Sequence, residues 1–400
     1  MRGLLIPLAL VPLPVMAAPL TFKPIADVRL RYEGVDQVGI ARDADAVTAR
    51  VRSGFELKKS NFALLAEAEA TLAISEAYNS GLNGKTAFAV VADPQNIELN
   101  RLQIQYTGLP KTVVTVGRQR INLDDQRFVG SVGWRQNEQT FDASRIEWSA
   151  IKNVKADITY AWSNRTIWGI NGVGARQPAI DGDNVFATLS YKHKFGVLTA
   201  FAYLVDQDEA AVNGFRLSSQ TFGVRYAGAY PLSKIVKLSV LASYAKQSDY
   251  HRNPNDYSAD YLAGELGIEA KGFKLLGGYE KLGSDTGVAL TSFQTPLATL
   301  HKFNGWADKF LTTPANGLQD IYGTVGYTKP KALGLDSLAL TATYHDYKSD
   351  RLNQHYGDEI NLQLLAKIKR YTFLIKYADY NAASFATDTK KLWASVEWAL

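Results

Sequence analysis

Apolar and polar residues alternate with a period of two along most of the chain. In the first such segment, Val28 and Leu30 share one face while Arg29 and Arg31 share the other. This alternation predicts β-strands whose two faces meet different environments. The same pattern gives the apolar stripes Val47-Ala49-Val51, Ala156-Ile158-Tyr160-Trp162, Val185-Ala187-Leu189-Tyr191, Val236-Leu238-Val240-Ala242-Tyr244, Leu338-Leu340-Ala342-Tyr344, Ile360-Leu362-Leu364 and Phe373-Ile375-Tyr377. Many stripes end in Tyr or Trp, as lipid-facing strands do at a headgroup interface.

The connections between these segments alternate in length. Short links are predicted at 58–61, 108–111, 152–153, 194–196, 231–234, 271–272, 329–336 and 369–370. Longer ones are predicted at 34–45, 77–95, 119–137, 164–183, 206–217, 246–259, 283–319, 349–357 and 381–390. Short periplasmic turns and longer external loops are typical of bacterial outer-membrane barrels. The pattern therefore predicts an all-β fold, a transmembrane antiparallel up-and-down β-barrel of about 18 strands with both termini on the periplasmic side.

A soluble β-sandwich or propeller is the alternative interpretation of so many short strands. Two features argue against it, namely the charged residues at regular strand positions and the alternating connection lengths. The last segment agrees with the barrel, because Leu392, Ala394, Val396, Trp398 and Leu400 alternate up to the final residue. A terminal amphipathic strand of this kind is what the outer-membrane assembly machinery typically receives.

The N-terminus has the features of a secretory signal peptide. Arg2 supplies the positive charge, Leu4 to Val15 form a short apolar stretch with three prolines, and small residues precede a cleavage site after Ala17. We therefore predict a signal peptide at residues 1–17 and a single barrel domain at residues 18–400. The predicted location is the outer membrane of a Gram-negative bacterium, in contact with outer-membrane lipid and lipopolysaccharide.

Composition disfavours most other functions. The net charge of +5 over 400 residues is too small to indicate nucleic-acid binding, and the chain has no cysteine for a disulfide or thiolate site. The five histidines His193, His251, His301, His345 and His355 are scattered along the sequence. We expect no enzymatic activity, no cofactor and no metal site, with a barrel hydrolase as a distant alternative. The acidic pair Asp124 and Asp125 is a weak candidate for a cation.

Arginines on the polar faces are the candidate pore-lining residues. Rings of arginine or lysine select anions in channels, and a guanidinium pairs with a carboxylate through two hydrogen bonds. The candidates are Arg29, Arg31, Arg50, Arg52, Arg101, Arg118, Arg120, Arg127, Arg135 and Arg225. The alternative is that these charges pair with acidic residues across the lumen and stiffen the barrel wall.

Two features leave alternatives open. Strict alternation from Val114 and Val116 points Arg118 and Arg120 towards lipid, unless the strand has left the hydrocarbon by Gly117 or a bulge there resets the register. The longest loop, 283–319, is either a constriction or gate built on Trp306, Asp308, Lys309 and Phe310, or an extracellular lid or disordered surface loop.

Two long motifs resemble a known family. The first runs from Gly117 to Gly130 and continues through Trp134 to Asp142; the second runs from Asn304 to Asp320. Both resemble the alginate-export family of outer-membrane porins, and the order of strands and loops is similar over essentially the whole mature chain. The resemblance implies an 18-stranded barrel with an arginine-rich pore for anionic polysaccharide.

Together, these arguments predict a porin or channel with a basic, arginine-lined lumen that passes anionic solutes, including export of an acidic polysaccharide such as alginate. A general or small-substrate diffusion porin with little charge selectivity is the alternative. The expected partners are the anionic solute or polysaccharide and periplasmic export proteins.

Overall fold

A computed structural model describes residues 19–400, and the predicted signal peptide lies outside these described residues. The described chain forms 18 strands, which confirms the predicted count. They are β1 (Thr21–Gln37), β2 (Ala44–Lys59), β3 (Phe62–Ala77), β4 (Asn96–Tyr106), β5 (Thr112–Gln119), β6 (Thr140–Trp148), β7 (Val154–Arg165), β8 (Ala179–His193), β9 (Gly196–Val205), β10 (Ser219–Pro231), β11 (Val236–Asp249), β12 (Ser258–Ala270), β13 (Phe273–Leu282), β14 (Leu318–Pro330), β15 (Ser337–Lys348), β16 (His355–Ile368), β17 (Tyr371–Ala382) and β18 (Thr389–Ala399). Two single-turn 3₁₀ helices lie in loops, at Asn213–Phe215 and Leu300–Lys302.

The sheet is closed into a barrel. Each strand pairs antiparallel with the next, and β1 pairs with both β2 and β18, so that Val28 lies opposite Val51 on one side and Trp398 on the other. Closure satisfies the backbone groups of every strand within the sheet, which is the condition for crossing a bilayer with strands. Among the described residues, no helix has the length and apolar character needed to cross a membrane.

The two faces of the wall differ as the alternation predicts. Leu30, Ile104 and Ile158 are exposed on the outer face, whereas Arg29 and Thr159 are buried on the inner face. Apolar side chains on the outside are stable only against lipid, and charged side chains inside require water or ionic partners.

Short and long connections segregate to opposite ends of the barrel. All eight short turns lie at the end that holds the start of β1 and the end of β18, and the nine longer loops lie at the other end. Several strands extend further into the loops than the sequence predicts. For example, β8 begins at Ala179, within the loop predicted at 164–183.

The inner face of β6 carries apolar residues for a tertiary reason. Phe141 and Ala143 are completely buried inside the barrel, while Ser144 pairs with Tyr160 on the outer face and Arg145 points inward to Asp157. The alternation therefore continues through β6 without a change of face. The inward apolar residues belong to a buried apolar cluster inside the lumen.

Candidate functional site

The loop between β5 and β6, residues 120–139, crosses the interior of the barrel. Strands β1 and β10 lie on opposite sides of an 18-stranded ring. Arg29 of β1 donates to the Gln136 side-chain oxygen at 2.8 Å and to the Trp134 carbonyl at 3.0 Å. On the opposite wall, Arg225 of β10 donates to Asp125 at 2.9 Å. One loop thus contacts both walls and divides the lumen.

Apolar residues within this loop explain why it folds inward. Ile121, Leu123 and Val129 are buried and belong to the same cluster as Phe141 and Phe186 of the inner wall. Burying each such side chain contributes about 1.5–3 kcal/mol. Phe128 extends the cluster, with ring centroids 5.1 Å from Phe201, 5.2 Å from Tyr261 and 5.9 Å from Phe293.

The loop between β13 and β14, residues 283–317, also folds into the lumen. Its Asp308 accepts hydrogen bonds from Arg135 at 3.1 Å and Lys391 of β18 at 2.7 Å, and from His301 at 2.8 Å. Burial by itself would raise the pKa of Asp308, but Lys391, His301 and Arg135 hold that pKa well below its ordinary value. The carboxylate is therefore ionised and joins the two loops to the wall.

An aromatic stack joins the two loops. Trp134 of the first loop stacks on His301 of the second, with ring centroids 4.3 Å apart. Lys376 of β17 lies 4.1 Å from the Trp134 ring and 3.7 Å from the Trp306 ring, and its Nζ donates to His301 Nε2 at 2.9 Å. With Nε2 accepting, His301 Nδ1–H donates to Asp308. Burial and Lys376 lower the pKa of His301 well below its ordinary value, so the ring is neutral.

The four residues predicted for a constriction occupy this inward loop. Besides Asp308 and Trp306, Phe310 is buried, with its ring centroid 4.5 Å from Tyr347 and 5.3 Å from Phe385. Lys309 is half-buried, and burial lowers its pKa to about 8. Glu359 of β16 fixes the backbone here by accepting from the Trp306 and Ala307 amides, the latter at 2.9 Å. The loop is folded inward, as the constriction interpretation requires.

Most of the candidate arginines lie on the inner face or in the first loop, and each is close to a carboxylate. Arg50 pairs with Asp27, Arg52 with Glu69 and Glu138, Arg101 with Glu67, Arg127 with Glu280, Arg135 with Glu33, and Arg31 lies 3.9 Å from Asp93. Arg29, Arg31 and Arg50 are at most 5% exposed. Arg29, Arg52, Arg127 and Arg135 join the first inward loop to the wall, whereas Arg50 and Arg101 join neighbouring wall strands. Both are the pairing role weighed as the alternative.

Arg120 and Arg225 keep some access to the lumen. The Arg120 side chain is 29% exposed and pairs with Glu138, whose pKa is held low by Arg52 and Arg120 despite burial. The Arg225 side chain is 14% exposed beside Asp125. The nearby Lys302 is exposed. A cavity of about 340 Å³ lies beside the loops, and Arg225 and Lys302 line it together with Glu265, Glu280 and Asp320.

Arg118 differs from the sequence prediction, since it lies on the outer face. It pairs across the sheet with Leu102 and Asp142, and its guanidinium donates to Asp142 at 2.8 and 2.9 Å. The φ of Gly117 is +116°, and a Cβ there would lie 2.3 Å from the Leu102 carbonyl oxygen. Glycine thus allows close packing of β5 against β4, and the register does not shift at this point.

This placement predicts different effects for two neighbouring arginines. Arg118→Gln should leave single-channel conductance and ion selectivity unchanged, because the side chain does not face the lumen. Arg120→Gln should reduce any preference for anions, because it removes a partly exposed lumen charge beside Glu138. Planar-bilayer recordings of both variants test this, and an Arg118 variant with the larger change in selectivity would contradict the assigned facing.

The acidic pair proposed as a weak cation site is engaged by basic groups. Asp125 accepts from Arg225, and Arg225 also lies 4.0 Å from Asp124. Elsewhere, among residues 19–400, Asp183, Asp206 and His251 place their ligand atoms within 4.8 Å of one another at the long-loop end.

Sequence reasoning missed several residues that organise the site. Glu138, Asp93 and Glu359 are buried acids that hold the loops, while Lys391 and Lys376 of the wall contact Asp308 and His301 of the second loop. Lys376 could have been recognised from the sequence as an inward residue, because it lies between Ile375 and Tyr377 on the polar side of an apolar stripe. The acids carry no such signal, since only the folded loops bring them together.

The comparison with protein families then identifies the chain. The model of the alginate export family matches residues 22–230, which is more than half of the 400 residues. The chain belongs to the alginate export family. It is a transmembrane barrel of the outer-membrane porin type, and the match covers β1 to β10 together with the first inward loop.

Solved structures share the fold of this alginate export family member at low sequence identity. OccAB4 of Acinetobacter baumannii is 12% identical, with 97% of this chain and 99% of that one covered and a TM-score of 0.69. OccK9 (OpdG) of Pseudomonas aeruginosa is 14% identical, with 95% and 98% covered and a TM-score of 0.71. OpdK of the same organism, solved with vanillate, is 11% identical, with 95% and 98% covered and a TM-score of 0.69. No curated protein matches the sequence.

Proposed function

We propose that this protein is a channel for anionic solutes and that it exports a carboxylated polysaccharide. One observation carries the proposal: the segment that matches the alginate export family, residues 22–230, contains all ten candidate arginines and the first inward loop. The first of the two inward loops and the candidate arginines therefore lie within the segment that matches the family, whereas the second inward loop lies outside it.

The chemistry of the constriction suits a carboxylate passing through it. The guanidinium groups of Arg120 and Arg225 are already paired with carboxylates, Glu138 and Asp125, and both remain partly exposed. A carboxylate of the solute can replace the internal partner, which Arg120 holds through several hydrogen bonds and Arg225 through one, so the arginine remains paired during the exchange. Lys302 supplies a further exposed cation beside the same cavity. Passage by exchange between partners keeps binding weak enough for release.

A second candidate is a small-substrate porin with little charge preference. Its support is the near-complete neutralisation of the arginines, together with the acidic residues Glu265, Glu280 and Asp320 beside the lumen cavity. OpdK, which has the same fold, was solved with vanillate, a small aromatic carboxylate. Under this alternative, size and not charge would determine what passes.

Reversal potentials distinguish the two candidates. The mature protein is refolded in detergent, inserted into planar bilayers and studied across a potassium chloride gradient. We expect a reversal potential of the sign that shows chloride to be more permeant than potassium. A preference for potassium, or no preference, overturns the anion channel and favours the small-substrate porin.

Location and partners form part of the same proposal. The barrel would lie in the outer membrane of a Gram-negative bacterium, with lipopolysaccharide around its long-loop end, after delivery by the outer-membrane assembly machinery. Periplasmic export proteins would supply the polymer at the short-turn end.

A further inference from the structure

The short-turn end of the barrel is crowded with lysine. Every one of the eight short turns, with the strand ends beside it, carries at least one, and another lies near the start of β1. They are Lys23, Lys58, Lys59, Lys111, Lys152, Lys155, Lys192, Lys194, Lys234, Lys237, Lys271, Lys274, Lys329, Lys331, Lys367 and Lys369, with Arg370 beside the last. All are exposed. We call this set the lysine collar.

The net positive charge of the collar is larger than that of the complete chain. Among residues 19–400, seven carboxylate side chains lie beside its seventeen cationic side chains, those of Glu56, Glu147, Asp157, Glu265, Glu269, Asp336 and Glu397. The complete chain has an excess of only five positive charges. The remainder of the molecule is therefore net negative, and the barrel has a strong charge asymmetry between its two ends.

Seven collar lysines occupy inward positions of their strands. Lys155 shares its face with the buried Asp157, and Lys274 lies opposite Glu269 on the inner face. The same reasoning from register places Lys23, Lys58, Lys192, Lys237 and Lys367 on the lumen side. These seven belong to β1, β2, β7, β8, β11, β13 and β16, which surround the mouth. Lysines that served only to bind lipid headgroups would point outward, as Lys329 does.

Four of the seven have no ionic partner within the described chain. Lys58, Lys155 and Lys237 lie 3.0, 2.8 and 3.6 Å from Glu56, Glu147 and Glu269. By contrast, Lys23, Lys192, Lys274 and Lys367 have no carboxylate within 4.0 Å among residues 19–400. This differs from the constriction, where the buried arginines are paired, and it leaves free charge to attract a ligand.

The collar also has clefts between its lysines. One, of about 560 Å³, is lined by Lys234, Lys237, Lys271 and Lys274, with Glu269 as its acidic member. A second, of about 530 Å³, is lined by Lys192, Lys194, Lys237 and Lys274, with Glu265 and Glu269 as its acidic members. A third, of about 530 Å³, is lined by Arg145, Lys152, Lys155 and Lys192, with Asp124 and Asp157 as its acidic members. Several neighbouring basic clefts fit the spaced carboxylates of a polymer better than one small anion.

We propose that the lysine collar is the binding surface that captures a polyanionic chain at the periplasmic mouth before it enters the lumen. This inference rests on the proposed anion channel and adds the residues that first bind the polymer at the mouth. Fixed charge of one sign around a mouth raises the association rate of an oppositely charged ligand by 10-fold or more, and salt screens the effect. The net-negative remainder gives the opposite mouth no such advantage.

The test compares association from the two sides of an oriented channel. Because the chain has no cysteine, Ala175→Cys in the exposed β7–β8 loop allows biotin labelling, and streptavidin then reports which side carries the long loops. The probe is an oligogalacturonate of defined length, and the readout is the rate of current-blocking events per unit concentration. We expect blocking to be roughly 10-fold faster from the short-turn side at low salt, and the difference to shrink at about 1 M salt.

Two matched variants isolate the collar. The quadruple variant Lys23→Gln, Lys192→Gln, Lys274→Gln and Lys367→Gln should bring the two rates within about threefold of each other. The control variant Lys85→Gln, Lys246→Gln, Lys348→Gln and Lys390→Gln removes the same charge at the other end and should retain the asymmetry.

The collar proposal is wrong if the wild type is blocked at equal rates from both sides. It is also wrong if the difference between the two blocking rates persists in the collar variant. Small-ion reversal potentials are recorded on the same channels. If chloride is preferred but the polymer blocks equally from both sides, the anion-channel proposal holds and only the collar proposal is wrong. If chloride is not preferred, the anion-channel proposal itself is wrong.

Discussion

Replacing Asp308 with alanine should release loop 283–317 from the lumen and raise the single-channel conductance. The carboxylate accepts from Arg135, Lys391 and His301, and its side chain is 5% exposed. Removing it leaves buried cations without a counter-charge, which typically costs about 3–5 kcal/mol. That cost shifts the balance between docked and released loop by about a hundredfold or more. Release of the loop is measured as an increase in planar-bilayer conductance and as protease cleavage after Lys302 and Lys309.

Asp285→Ala is the matched control in the same loop. Asp285 forms no salt bridge within the described chain, and its carboxylate accepts one hydrogen bond from the Ser258 amide at the loop end. Its replacement should change neither conductance nor cleavage. If Asp308→Ala channels conduct like the wild type while the barrel remains folded by circular dichroism, the loop does not constrict the pore.

Acid should loosen the same loop through His301. In the docked loop the ring is buried against Trp134 and Trp393, near the cations Lys376 and Arg135, and its pKa lies well below 6.5. A released loop exposes the ring, whose ordinary pKa is about 6.5. As the pH falls below that value, only the released state takes up a proton. The free energy that favours the docked loop therefore falls by about 1.4 kcal/mol for each pH unit below 6.5, or by about 2 kcal/mol at pH 5.

Conductance measured from pH 7.5 to pH 5 tests this expectation, with His301→Gln as the comparison. The wild type should show more frequent or longer high-conductance states at pH 5, and the variant should lose most of that pH dependence. Asp308 does not produce the effect, because its pKa is held well below its ordinary value and it stays ionised over this range. An identical pH profile in wild type and variant would remove His301 as the responsible group.

The strand count was predictable because each wall residue has only two possible environments. Leu30 and Ile104 face lipid and Arg29 faces inward, so polarity alone reports the side of the sheet. The predictions of which face a residue occupies failed or stayed open where the environment is neither lipid nor the polar lumen. Phe141 and Ala143 are apolar yet face inward, because an inserted loop buries them. Arg118 is charged yet faces outward, because Asp142 on the neighbouring strand neutralises it.

The site was predictable only in part. Trp306, Asp308, Lys309 and Phe310 were predicted as a constriction because a long loop with aromatic and charged residues is unusual, and their loop lies inside the lumen. Their partners were not predicted. Lys391 lies 83 residues from Asp308 in the chain, and Glu359 lies 53 residues from Trp306. Such contacts depend on how the loop enters the barrel, which no local pattern encodes.

By itself, the sequence determined a closed antiparallel barrel of 18 strands, its short and long ends and the arginines available to it, because period-two alternation and loop length are local properties. Only the tertiary structure decided which arginines face water, which are buried under the inserted loops, and which lysines face the lumen at the mouth. The physical reason is that a charge acts through its nearest partners and its access to water, and both arise from segments far apart in the chain.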